Sequence, residues 1–383
     1  MDFDQIINRR NTESVKWNYF VEDVLPMWVA DMDFQSPQAV MDALHDRVDH
    51  GIFGYGGPPA GTRSAIVQHL ASRHDWEIGP STIAFISGVV TGFTHAIYSL
   101  TEPGDKVLIQ TPAYPPFLAA PDSTGRKCLI NELVQAPDGR YEVDFDDFEA
   151  KIASGVGLFI LCNPQNPTGW VFHRDELARM AEICLGYGTL ICSDEIHSDL
   201  VFPGEQHIPF ASLSPEVSQN TVTYFAPSKT FNLAGLSTSV YVTENPDLRK
   251  LLAESMRMLL GHPNILGLHA TRAAYLHGRD WLDALMEYLQ VNRDFLAEFV
   301  KSELPGIRIW KPEGTYLGWL DCRDLDLEVS PQKFFLDEAR VGLNDGVDFG
   351  EAGQGFVRLN FGCPRKLLEE GLSRMRDTLE RRN

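Results

Sequence analysis

The chain has 383 residues, with 53 acidic against 33 basic side chains, a formal net charge of −20, and 44% hydrophobic and 22% charged residues. Such a chain buries a substantial core and is not disordered, and its negative field argues against nonspecific binding to DNA, RNA or an anionic membrane, though not against a small anion held by local dipoles. The six cysteines (Cys128, Cys162, Cys184, Cys192, Cys322, Cys363) form no Cys-x-x-Cys pair and read as reduced, mostly buried thiols.

In chain order, Met1-Asp2-Phe3-Asp4 carries acids too early for a signal peptide. Residues 1–45 contain a loop-like stretch, Pro26-Met27-Trp28-Val29-Ala30-Asp31-Met32-Asp33-Phe34. Gly56-x-x-x-x-Gly61-Thr62-Arg63 looks like a phosphate loop but lacks the lysine, and Pro58 and Pro59 remove two of its amides. Apolar, β-rich runs then alternate with helical patterns. The expected strands are Ile83–Ser87, Lys106–Gln110, Lys127–Asn131, Leu158–Cys162, Thr189–Ser193, Thr221–Phe225 and Ser239–Val242, with helices such as Gly92–Leu100 and Asp175–Leu185 between them. Several strands are apolar on both faces, as a covered, mostly parallel sheet requires, and the alternation predicts an α/β layered domain. After Asp280 come a long amphipathic helix, short strands (Gly318–Leu320, Gly355–Phe361) and a charged C-terminal helix. The expectation is a large domain over 46–284 and a smaller α+β domain from both chain ends, 1–45 and 285–383, with a ligand cleft between them. The longest apolar run, Val156–Cys162, is far shorter than a membrane span, and a soluble cytoplasmic protein is expected.

Ligands of open α/β sheets sit beyond the carboxyl ends of the strands. The first strand is followed by Ser87-Gly88-Val89-Val90-Thr91-Gly92, a small-residue turn into a helix N-terminus that favours an anion. The fourth leads into Asn163-Pro164-Gln165-Asn166-Pro167-Thr168-Gly169, stiffened by proline and able to hold the Asn166 amide in one place. The fifth leads into Asp194-Glu195-Ile196-His197; Asp194, if buried, needs a cation or a protonated ring nitrogen, unless it merely caps a helix. The sixth leads into Ala226-Pro227-Ser228-Lys229-Thr230-Phe231-Asn232, where a lysine among apolar neighbours has a depressed pKa suited to Schiff-base chemistry. Late in the chain, Arg358 stands between Val357 and Leu359 in a strand pattern, its planar fork fit for a carboxylate, either in a structural salt bridge or on a ligand. The eleven histidines show no His-Glu-x-x-His pattern, and no metal is inferred.

Asn-Pro-x-Asn-Pro-Thr-Gly, Asp-x-x-His, Ser-Lys-Thr-Phe-Asn and the late arginine, in this order from about residue 25 to the C-terminus, resemble the fold-type I pyridoxal-phosphate enzymes of the aspartate aminotransferase superfamily, class I/II. The finer pattern is similar to the C–S β-lyase (cystathionine β-lyase) branch. It is carried by residues 26–34, by Tyr114-Pro115-Pro116-Phe117, by Ser193-Asp194-Glu195-Ile196-His197-Ser198-Asp199 and by Asn232-Leu233-Ala234-Gly235-Leu236. Two positions depart from the wider superfamily: His197 stands where many transaminases have tyrosine, and Ser237 where many have a phosphate-binding arginine.

The resemblance implies a three-layer fold with a mostly parallel mixed sheet and pyridoxal 5'-phosphate as cofactor. It implies Lys229 as the catalytic residue that captures the cofactor aldehyde and Asp194 as partner of the pyridine nitrogen. Asn166 and His197 would reach the ring oxygen, Tyr114 the ring face, and Gly88, Val89, Val90 and Ser228 the phosphate. Arg358 and Ala30 would meet the substrate, a small sulfur-containing L-amino acid. Tyr55 would be lent across a homodimer interface to the partner's phosphate. The implied reaction is α,β-elimination from cystathionine or cysteine S-conjugates; the alternatives are an aminotransferase, or a non-catalytic regulatory relative.

Overall fold

The computed structural model describes residues 1–382, apart from the side chains of Arg257 and Met258. Its central sheet has seven strands: β1 (Ile83–Ile86), β2 (Lys106–Thr111), β3 (Lys127–Glu132), β4 (Val156–Cys162), β5 (Leu190–Asp194), β6 (Thr221–Phe225) and β7 (Ser239–Val242). Their spatial order is β1-β7-β6-β5-β4-β2-β3; β7 runs antiparallel to both neighbours and the other pairings are parallel. All seven expected strands are present; β6 and β7 have the expected bounds, and the other five differ by one or two residues at an end. The informative shift is in β5, which starts at Leu190 rather than Thr189 and takes in Asp194, paired with Cys162 and Tyr224.

The longer helices are α1 (Gln38–Asp49), α2 (Thr62–His74), α3 (Val89–Leu100), α4 (Pro115–Ser123), α5 (Phe145–Ala153), α6 (Arg174–Tyr187), α7 (Pro246–Leu259), α8 (Ile265–His277), α9 (Arg279–Glu303) and α10 (Arg365–Arg382). The period-two geometry of a strand explains why the strands read as unbroken apolar runs. In β4, Leu158 and Ile160 face one layer with Phe93 and Ile97 of α3, Phe117 of α4 and Leu252 of α7. Phe159 and Leu161 face the opposite layer with Phe148 of α5 and Leu177 and Met180 of α6. Helices on both faces make the three layers. Gly92 lets α3 lie against β6, because a Cβ there would overlap the Tyr224 ring, whose hydroxyl donates to the Gly92 carbonyl at 2.8 Å.

A second, antiparallel sheet holds β8 (Arg308–Ile309), β9 (Leu317–Asp321), β10 (Asn344–Asp345) and β11 (Phe356–Asn360) in the order β8-β9-β11-β10. Its core joins both chain ends: Phe3, Met27 and Phe34 pack with Leu289 and Leu296 of α9 and Leu372 and Met375 of α10. Leu25–Pro26 pairs in parallel with Val341–Gly342. The expected boundary at 284/285 falls inside α9, which runs unbroken from Arg279 to Glu303. Among the described residues no helix is long and apolar enough to cross a membrane.

Candidate active site

Residues at the carboxyl ends of β4, β5 and β6 meet β11 and the N-terminal stretch around one cavity of about 290 Å³. Lys229 lies on the helical turn Pro227–Thr230 directly after β6, where Pro227 starts the turn at a position that needs no N–H. Asp194 is the last residue of β5. The turn carrying Asn166 is tied by Gln165, whose side-chain oxygen accepts from the Thr168 N–H at 2.9 Å and the Thr168 hydroxyl at 2.6 Å. Gly88 precedes α3 with φ of 102°, a conformation that L side chains rarely adopt. No side chain caps α3, so the amides of its first turn remain free beside the cavity.

Three charged residues line this cavity, Asp194, Lys229 and Arg358, and among the described residues none of them forms a salt bridge. The Asp194 carboxylate is buried and accepts the Ile196 N–H at 3.0 Å, with no cation in hydrogen-bond contact among the described residues. Burial, with the nearby Glu195 charge, raises its pKa to about 7 against the opposing pull of that amide and of Lys229. The Arg358 guanidinium donates to Asn166 Oδ1 at 2.8 Å, Asn344 Oδ1 at 2.7 Å and the Trp28 carbonyl at 3.1 Å, none of them a carboxylate. Its Nε is buried without a partner, and burial lowers its pKa to about 10. Lys229 donates to the Ala30 carbonyl at 2.6 Å; burial, then the Arg358 charge, brings the amine down to about 8. His197 is buried and kept neutral by burial and by the Lys229 and Arg358 charges, with Nδ1 lacking a hydrogen-bond partner.

Gly88, Val89, Val90, Tyr114, Asn166, Asp194, His197, Ser228, Lys229, Arg358 and Ala30 all line this cavity. Tyr55 does not. It is fully exposed, in a segment with the exposed Ile52 and Phe53, and no cavity residue of its own chain lies against it. Ser237, where the superfamily often has arginine, does reach the wall, with Thr238 and Ser239. Among the described residues Arg358 forms no salt bridge, unlike the structural pair that one sequence reading expected.

Sequence reasoning missed the groups that hold the site in shape. The stretch 28–33 lies over the cavity because Asn360 donates to the Val29 and Asp31 carbonyls, both at 2.7 Å. Asn232 accepts from the Met32 N–H at 3.1 Å and donates to the Met32 and Phe34 carbonyls. Tyr316 donates to the Ala30 carbonyl at 3.0 Å. Asn232 and Tyr316 come from segments without periodicity, and Asn360 is the last residue of β11; Asn232 stood inside a quoted motif but without a role.

The cavity fits pyridoxal 5'-phosphate on three observations: a buried carboxylate awaiting a cationic ring nitrogen, free helix amides beside a glycine for a phosphate, and a depressed lysine amine for an aldehyde. Sheet and site together define a fold-type I pyridoxal-phosphate enzyme. The family profile for aminotransferase class I and II matches residues 22–375. The chain is 43% identical to cystathionine beta-lyase PatB of Bacillus subtilis (strain 168), over 99% of this chain and 100% of that one. Among solved structures it is similar to pyridoxal-phosphate-containing cystalysin from Treponema denticola (TM-score 0.96, 33% identity, 100% and 99% coverage). It is likewise similar to the PLP-bound C-S lyase from Staphylococcus hominis (TM-score 0.93, 34% identity, 99% of each chain). The chain belongs to the class I and II aminotransferase family, in its C–S lyase branch, and its cofactor is pyridoxal 5'-phosphate.

Proposed function

We infer that the protein is a pyridoxal-phosphate-dependent C–S β-lyase that cleaves cystathionine or cysteine S-conjugates to a thiol, pyruvate and ammonia. The observation that carries this reading is the depressed Lys229 amine sharing one cavity with an unpaired buried carboxylate, Asp194, and an unpaired buried guanidinium, Arg358. When bound, the cofactor supplies an electron sink that makes the substrate Cα proton acidic.

The chain's own residues do the rest. Lys229 would hold the cofactor through its Nζ and, when that amine is free, would take the Cα proton on Nζ. Asp194 would pair with the ring nitrogen and keep a proton on it. The Asn166 amide and His197 would hold the ring oxygen, the Tyr114 phenol ring would cover the ring face, and Ser228 would join the amides of α3 in holding the phosphate. Arg358 clamps the α-carboxylate bidentately and, with the Ala30 segment, orients the Cα–H bond. As Lys229 takes the proton, the C–S bond breaks and its electron pair leaves on sulfur; water then releases pyruvate and ammonia. This reading also makes the protein a cytoplasmic homodimer in which the exposed Tyr55, beside Ile52 and Phe53, reaches the partner's phosphate.

Pyruvate assayed across sulfur amino acids without added 2-oxo acid tests the reaction. Release without an acceptor is expected. Strict dependence on an acceptor would overturn the lyase reading in favour of transamination.

A further inference from the structure

Behind the cavity lies a second set of titratable side chains that contributes none of its lining. Asp199 is buried. Its Oδ1 meets His69 Nε2 at 2.7 Å and His74 Nε2 at 3.1 Å, both on α2, and its Oδ2 accepts from the Thr230 hydroxyl at 2.9 Å. Arg73 reaches the Asp199 backbone carbonyl, and Tyr275 of α8 packs on the His69 ring at 4.8 Å. The His74 ring meets His207 edge-on at 5.2 Å, and His207 Nε2 reaches Glu195 Oε2 at 2.9 Å. The other Glu195 oxygen accepts from the Ser193 hydroxyl at 2.8 Å and the Phe210 N–H at 2.9 Å.

Thr230 follows Lys229 in the chain, and Ser193 and Glu195 flank Asp194. The neighbours of both charged residues therefore hang on one buried assembly. Among the described residues, the side-chain charge partners of Asp199 and Glu195 are imidazoles, with no lysine or arginine paired to either. A buried carboxylate fixed by three donors is a rigid anchor, since losing any of them leaves charge unsatisfied.

We propose that Asp199 is a positioning residue for Lys229: through the Thr230 hydroxyl it fixes the turn Pro227–Thr230, while His69 and His74 brace it from α2. The proposal rests on the reading of Lys229 as the reactive amine. The turn is short, four residues, and the buried Thr230 hydroxyl has one acceptor in the structure, Asp199. Freeing it lets the amine drift, and proton transfer is steeply sensitive to such drift while substrate binding through Arg358 is not. The ligand atoms of His69, His74 and Asp199 also lie within 4.8 Å of one another, close enough to hold a metal ion. Positioning is the favoured reading because direct hydrogen bonds already satisfy Asp199.

The test compares the holoenzymes of Thr230→Val, Thr230→Ser, Asp199→Asn and wild type, with Lys229→Ala as reference. Thr230→Val and Asp199→Asn are expected to lower kcat about tenfold with KM within about twofold. Both should move the pH midpoint of the visible cofactor band measured without substrate, and Thr230→Ser should restore both readouts. If Asp199→Asn does not fold, the valine and serine pair decides alone. Wild-type kcat and band midpoint in Thr230→Val would overturn the proposal, as would a loss that serine fails to restore. About one equivalent of zinc in the wild-type holoenzyme, absent from His69→Ala, would overturn it in favour of a metal site. A visible band that survives in Lys229→Ala would instead sink the underlying assignment of the amine, a result independent of Thr230.

Discussion

Two buried aspartates, Asp33 and Asp194, share nearly the same exposure, 3% and 5%, and titrate in opposite directions. Burial pushes both carboxyl groups up. At Asp33 the Lys16 ammonium at 2.7 Å, the Arg9 guanidinium at 2.7 Å and the Trp17 indole N–H at 2.7 Å overcome burial and hold the carboxyl below its usual range. At Asp194 one backbone amide is the hydrogen-bond donor, and the carboxyl rises to about 7. The difference separates structure from function. A carboxylate that serves stability is surrounded by donors; Asp194 has one amide donor, and Arg358 has no carboxylate in hydrogen-bond contact among the described residues, which leaves both available to a ligand.

The comparison can be broken by exchanging its terms. The largest effect is expected from Lys229→Ala, which should reduce turnover to background and abolish the visible cofactor band while circular dichroism stays unchanged. Next, Asp33→Ala should destabilise the fold by about 3 kcal/mol, because it takes from the buried Lys16 ammonium its partner at 2.7 Å and leaves it the Asp31 carboxylate at 3.9 Å; urea titration reads the loss, and a stable Asp33→Ala protein would erase the contrast. Arg358→Ala should cost about 3 kcal/mol of substrate binding, seen as a KM raised about 100-fold, without lowering the urea midpoint comparably.

A subtler effect concerns the cofactor-free protein. The native Asp194 carboxyl, raised to about 7 from 3.8, binds a proton that the unfolded chain has already lost, so apoprotein stability falls as pH rises from about 4 to 7. Asp194→Asn should flatten that slope, and loading the cofactor should do the same by supplying the missing cation. Chemical denaturation at several pH values checks both, and a slope surviving in Asp194→Asn would assign it elsewhere.

Much of this was legible from sequence. Both faces of β4 are covered, so its apolar run could not hide, and the polar residues at strand ends gathered where open sheets bind ligands. Even the β5 register error of one residue was harmless, since Asp194 belongs at the carboxyl edge either way. What stayed hidden was whatever depends on chain segments far apart in sequence. Asn344 and the Trp28 carbonyl hold Arg358 from 14 and 330 residues away, and Asn232 and Asn360 pin the N-terminal stretch from about 200 and 330 residues away. Long-range side-chain-to-backbone bonds carry no periodic signal. Tyr55, expected at a phosphate, is fully exposed and lies outside the cavity lining of this chain.

The Ala30 carbonyl has a consequence for what happens on loading. It accepts from two donors at once, Lys229 Nζ and the Tyr316 hydroxyl. On the proposed reading of Lys229, the amine turns away to bind the cofactor and the tyrosine stays behind as caretaker of that oxygen. The N-terminal segment can therefore keep its berth while the lysine comes and goes through each turnover, and empty and loaded enzyme need not differ in backbone there.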